Sequence, residues 1–77
     1  MLSLSNATGT MSTTYTVDVS TGDTYTHRAT AFHKDGLHYG RIRTIDGDII
    51  AETVAGKGIT MNTDDFHAWV FNTLRSN

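Results

Sequence analysis

Between residues 13 and 54, apolar and polar side chains alternate in short runs rich in Thr, Tyr, Val and Ile. Such alternation sends successive side chains to opposite faces of an extended strand. Glycine-bearing turns interrupt the runs at Thr21-Gly22-Asp23, Asp35-Gly36 and Asp46-Gly47-Asp48. Short β-prone runs joined by turns of this kind predict consecutive hairpins. The expected strands cover residues 13–20, 24–33, 37–45 and 49–54. After Ala55-Gly56-Lys57-Gly58 the period lengthens, and Phe66, Trp69, Val70, Thr73 and Leu74 recur at three-and-four spacing. That is the apolar stripe of an amphipathic helix. Asn62 or Thr63 can cap its start, Asp64 and Asp65 suit the positive end of the helix dipole, and Arg75 suits the negative end. The pattern predicts an α+β fold: a four-stranded antiparallel meander sheet with one C-terminal helix packed on one face, in the order β-β-β-β-α.

Register follows from the turns. Asp35-Gly36 is a strong signal for a two-residue type I′ turn. It pairs His33 with His38, Phe32 with Tyr39, Ala31 with Gly40, Thr30 with Arg41, Ala29 with Ile42 and Arg28 with Arg43. One face then carries His27, Ala29, Ala31, Gly40, Ile42 and Thr44, small and apolar at its centre, where a helix can come close. A three-residue first turn adds Tyr15, Val17, Val19 and Tyr25 to this face, and a two-residue Asp46-Gly47 turn adds Ile49 and Ala51. Phe66, Val70 and Leu74 should pack there. Trp69 and Phe71 flank the stripe, and Phe71 is the one expected to be exposed as a second contact for a partner.

The opposite face holds Arg28, Arg41, Arg43, Phe32, Tyr39, Ile50, Glu52 and Val54, with no element left to cover it. Arg28 and Arg43 repel each other unless an anion or a partner group intervenes, and Arg41 can pair with Glu52. Three readings fit this face. It can be a solvated surface on which arginine stems cover apolar neighbours. It can bind a protein, either a partner or a second copy of the chain, because arginine and aromatic residues anchor interfaces. It can be a platform for single-stranded nucleic acid, although it offers few cations for phosphates.

Composition narrows the choice. At 77 residues the chain is expected to be one domain spanning 12–77, after a flexible polar tail at 1–11. There is no cysteine, which removes disulfides and thiolate metal sites and fits the cytoplasm. A net charge of −2 argues against a general nucleic-acid binder. No apolar run reaches the roughly 20 residues of a membrane span.

Few residues invite chemistry. His33 and His38 face one another near the second turn, but two ligands do not make a zinc site, and no metal or other cofactor is expected. His27 reads as a hydrogen-bonded, partly buried ring. Ala55-Gly56-Lys57-Gly58 lacks the spacing of a phosphate loop and reads as a connection. Asp23, Asp46 and Asp48 gather at one end of the meander, as turn residues or as an edge for docking a basic partner; the spacing of a calcium loop is missing. No serine sits on a nucleophile elbow and no deep cleft is expected, so the chain is not expected to be an enzyme.

The segment DGDIIAETVAGKG followed by a helix resembles small bacterial and archaeal β-β-β-α domains of unknown function. In size and plan, a meander with one helix also resembles several phage-encoded inhibitors, including some anti-CRISPR proteins. The expectation is a non-catalytic module that occludes a surface of a protein partner. Its contacts would be Arg28, Phe32, Tyr39, Arg41, Arg43 and Phe71.

Overall fold

The computed structural model describes residues 1–56 and 61–76. Strands β1 (Leu2–Gly9), β2 (Thr14–Thr21), β3 (Thr24–Lys34), β4 (Leu37–Thr44) and β5 (Ile49–Ala55) precede one helix, α1 (Thr63–Arg75). They form an antiparallel sheet in chain order, β1-β2-β3-β4-β5. The α+β class and the helix agree with the pattern of the sequence, but the sheet has five strands, not four. The extra strand lies within the stretch expected to be a tail. Its signal is Leu2 and Leu4 alternating with Ser3 and Ser5; both leucines are half-buried against the core. Connection 55–58 falls partly outside the described residues.

The central hairpin has the expected register throughout, from Lys34 opposite Leu37 down to His27 opposite Thr44. Asp35 and Gly36 both take positive φ, 54° and 78°, as a type I′ turn requires. The flanking hairpins differ from expectation because each contains a bulge. Between β2 and β3 the pairing jumps from Val19–His27 to Ser20–Tyr25, leaving Thr26 as the extra residue. The turn itself is two residues between the paired Thr21 and Thr24. Tyr25 therefore leaves the core face; it is 47% exposed, and its hydroxyl accepts from the Asn6 amide at 3.2 Å. Between β4 and β5 the pairing jumps from Ile42–Ala51 to Arg43–Ile49, so Ile49 is displaced and stands 49% exposed. Ala51 keeps its expected place against the core.

The core lies between one sheet face and α1. Val17, Val19, Ala29, Ile42, Phe66 and Val70 are fully buried. Gly40 sits under the helix: a methyl group placed on it would lie 3.0 Å from Trp69 Cζ3 and 3.3 Å from Phe66 Cε1. The missing side chain is what lets two aromatic rings approach the sheet. Asn62 caps the helix, its Oδ1 accepting from the Asp65 amide at 2.8 Å. At the far end, the Ser76 amide and hydroxyl both donate to the Asn72 carbonyl.

Candidate functional site

α1 covers one side of the sheet and leaves the other open. Cross-strand register arranges the open face in rows. One row is Thr14, Phe32, Tyr39 and Val54; the next is Thr16, Thr30, Arg41 and Glu52; the third is Asp18, Arg28, Arg43 and Ile49. These rows line much of a shallow concavity of about 710 Å³.

Neighbouring charges and rings fix the side chains. Phe32 and Tyr39 stack with centroids 5.2 Å apart and planes 12° from parallel. The Arg41 guanidinium lies 5.1 Å from the Phe32 centroid and is held from the other side by Glu52 Oε2 at 3.1 Å. Arg28 is drawn to Asp18, Nε to Oδ1 at 2.9 Å, which offsets the repulsion expected from Arg43 opposite. The Asp18 carboxylate also accepts from Asn6, and the Arg28 and Asn6 bonds together hold its pKa below the usual carboxylate value. Among the described residues, no carboxylate lies within ion-pair distance of Arg43. Both ion pairs are exposed, so each contributes only about 0–1 kcal/mol to stability. Their main effect is to orient the arginine heads.

Arg28, Phe32, Tyr39, Arg41 and Arg43 thus come together on one surface. Phe71 does not join them. It lies half-buried on α1, across the sheet, with the Arg75 guanidinium 5.4 Å from its ring. Asp23, Asp46 and Asp48 stand exposed in the turns at one end of the meander. Sequence reasoning missed Asp18, Asn6 and Tyr25. A three-residue first turn sets Asp18 opposite Thr26; the two-residue turn and the bulge at Thr26 bring it opposite Arg28 instead.

Comparison with known proteins gives no help with this surface. No family model, curated protein or solved structure matches the chain. The reading of this surface therefore starts from its geometry.

The histidines are engaged structurally. His27 Nδ1 and Thr26 Oγ1 are 2.8 Å apart, and His67 Nε2 lies 2.8 Å from the Tyr15 hydroxyl. His33 Nδ1 lies 3.0 Å from the Ser12 carbonyl, which can only accept, so that nitrogen carries the ring proton. His38 is 6% exposed and its Nδ1 accepts from the Met61 amide at 3.0 Å. Its ring proton therefore sits on Nε2, which has no partner among the described residues. A neutral His38 has no lone pair left to share with His33 around a metal. Among the described residues, no group of three or more His, Cys, Asp or Glu side chains is placed to hold one.

Burial is the main cause, and the facing His33 the second, that lowers the pKa of His38 below its ordinary value of 6.5. The unfolded chain thus binds this proton more readily than the folded one. Stability should be complete above the ordinary value and fall as pH drops below it. Urea denaturation between pH 8 and pH 5 (about the range over which an imidazole titrates) checks this. The midpoint is expected to decline on the acid side, and to decline less in His38→Gln. Equal declines in the two proteins would remove His38 as the cause.

Proposed function

We propose that this chain is a non-catalytic binding module that occludes a surface on a protein partner through the open face of its sheet. The most concrete version is an inhibitor encoded by a phage or mobile element and acting in the cytoplasm, by likeness of size and plan to anti-CRISPR proteins. The observation that carries the reading is the oriented cluster on the uncovered face: the Phe32–Tyr39 stack, Arg41 held over it, and Arg43 without a carboxylate. Rigid aromatics and a pre-positioned guanidinium lose little freedom on binding and make strong anchors. A bare arginine beside them favours an acidic or carbonyl-rich patch on the partner.

The same geometry weighs against single-stranded nucleic acid as the ligand. Phe32 already has Tyr39 stacked against it and Arg41 over its ring, so few ring faces remain for bases. Arg28 and Arg41 are neutralised by Asp18 and Glu52, leaving one uncompensated arginine for phosphate. No helix among the described residues is long and apolar enough to cross a membrane.

The test is charge reversal. Arg41→Glu with Arg43→Glu is expected to keep the circular dichroism spectrum and to weaken partner binding by at least about thirty-fold, corresponding to loss of about 2 kcal/mol or more at a hot spot. Affinity capture from host lysate with wild type and double variant side by side identifies the partner as the protein lost with the variant. Undiminished capture by a folded double variant would remove the face assignment. Salt-sensitive binding of labelled single-stranded RNA that disappears in Arg43→Glu would favour the nucleic-acid reading instead.

A further inference from the structure

The two edges of the sheet are built differently. β1 protects its edge: its pairing shifts between Ser5 and Thr8, Asn6 takes a φ of 53°, and its outer residues are mostly Ser, Asn and Thr. Irregular, polar edges of this kind discourage further strand pairing. β5 has few such protections. After its initial bulge it pairs regularly with β4 from Ala51 to Ala55. Its sequence, Ile-Ile-Ala-Glu-Thr-Val-Ala, contains neither lysine nor proline and is rich in β-branched side chains. Ile49, Ile50 and Val54 are 49%, 40% and 52% exposed. Its one charge, Glu52, is drawn inward to Arg41. Among the described residues, no strand pairs with the outer side of β5.

We propose that β5 pairs antiparallel with the β5 of a second copy of this chain, joining two five-stranded sheets into one of ten strands. A two-fold axis perpendicular to the sheet through Glu52 makes the strand self-complementary. Glu52 then stands opposite Glu52, Ala51 opposite Thr53 and Ile50 opposite Val54. Directly opposed residues in an antiparallel pair share a face, and this register keeps Glu52 and Val54 on the open side of both sheets. The two carboxylates meet with their charge already matched, because each lies 3.1 Å from its own Arg41. The central row then reads Arg41, Glu52, Glu52, Arg41 and is neutral as a whole. A second copy also accounts for the asymmetry of the edges. Once β5 is paired, the only edges left among the described residues are the two β1 strands, the edges that are already guarded, so the assembly closes at two chains. The axis puts both arginine faces on the same side, so the dimer would offer two copies of the candidate contact surface in one plane. The pairing does not depend on the partner-binding reading, and its test needs only the purified chain.

Sedimentation equilibrium of the purified full chain is the experiment. Wild type is expected to show twice the 8.4 kDa chain mass. Val54→Lys, on the exposed edge strand, is expected to reduce it to one chain with the circular dichroism spectrum retained. Ser3→Lys on the opposite edge and Arg43→Glu on the open face are expected to leave the dimer intact. A mass of one chain at the highest attainable concentration would overturn the proposal. So would a dimer that survives Val54→Lys in folded form, or one lost with Arg43→Glu. If Val54→Lys fails to fold, hydrogen exchange on the wild type decides. Concentration-dependent protection of the outward β5 amides supports the pairing, and fast exchange at every concentration excludes it.

Discussion

Phe66→Ala is expected to destabilise the fold by about 3–5 kcal/mol, the range for emptying a fully buried aromatic site. Phe66 has no exposed surface and is the largest side chain sealed between helix and sheet. Its ring meets Tyr15 edge-on at 6.0 Å and lies 5.9 Å from Trp69, so truncation removes two aromatic contacts as well as apolar area. The cavity would open against Gly40, which has no side chain to collapse into it. A chain of 77 residues has a total stability on the order of 4–12 kcal/mol, at about 0.05–0.15 kcal/mol per residue. The variant should therefore lose a large share of its stability, and be unfolded at room temperature if the wild type lies at the low end of that range. Denaturant titration with and without an osmolyte measures the difference. Phe71→Ala is the control: its half-exposed ring should cost about 1 kcal/mol, the typical effect of a point substitution. Equal losses from the two variants would mean that α1 docks with a different face.

Gly40→Val tests the closeness of the helix from the opposite direction. Intrinsic preference predicts a gain, since glycine inside a strand is unfavourable by roughly 0.5–1 kcal/mol and valine is a good strand former. Packing predicts a loss. The first added carbon alone would lie 3.0 Å from Thr53 Cγ2, 3.0 Å from the Trp69 ring and 3.3 Å from the Phe66 ring. Overfilling a packed site costs about 1–3 kcal/mol, so packing should win and the variant should be less stable than wild type. Trp69→Leu in the same chain should relieve part of the clash. A double-mutant cycle would then show the paired change to be less harmful than the sum of the single ones. A stabilised Gly40→Val would mean that α1 stands farther from the sheet.

The parts of the fold legible in the sequence are those fixed by strong local rules. Asp35-Gly36 permits one turn geometry well, and from it the whole β3–β4 register followed, with the interleaving of Arg28, Phe32, Tyr39, Arg41 and Arg43. Asn62, Asp64, Asp65 and the three-and-four stripe fixed the helix and its buried face. The parts that escaped have no local marker. The bulges at Thr26 and Ile50 sit at residues that favour regular strand, and each moved one side chain, Tyr25 and Ile49, out of the core face. Strand β1 was obscured because its alternation is short and Asn6 interrupts it. The ion pairs that tame the arginines were half visible. Arg41 with Glu52 follows from the expected register, whereas Asp18 meets Arg28 only through the shorter first turn and the bulge at Thr26.

Every ladder of the sheet joins strands that are neighbours in the chain, so the loop closures it needs are short and their entropy small. The helix is different. It brings His67 to Tyr15 and Phe66 to Gly40, contacts that span much of the chain. During synthesis the meander can zip together as it leaves the ribosome, while α1 emerges only after all five strands. Until then Val17, Val19 and Ile42 have no cover. A nascent chain of this protein therefore passes through a stage with its apolar sheet face open to water, and the thirteen-residue helix is what ends that exposure.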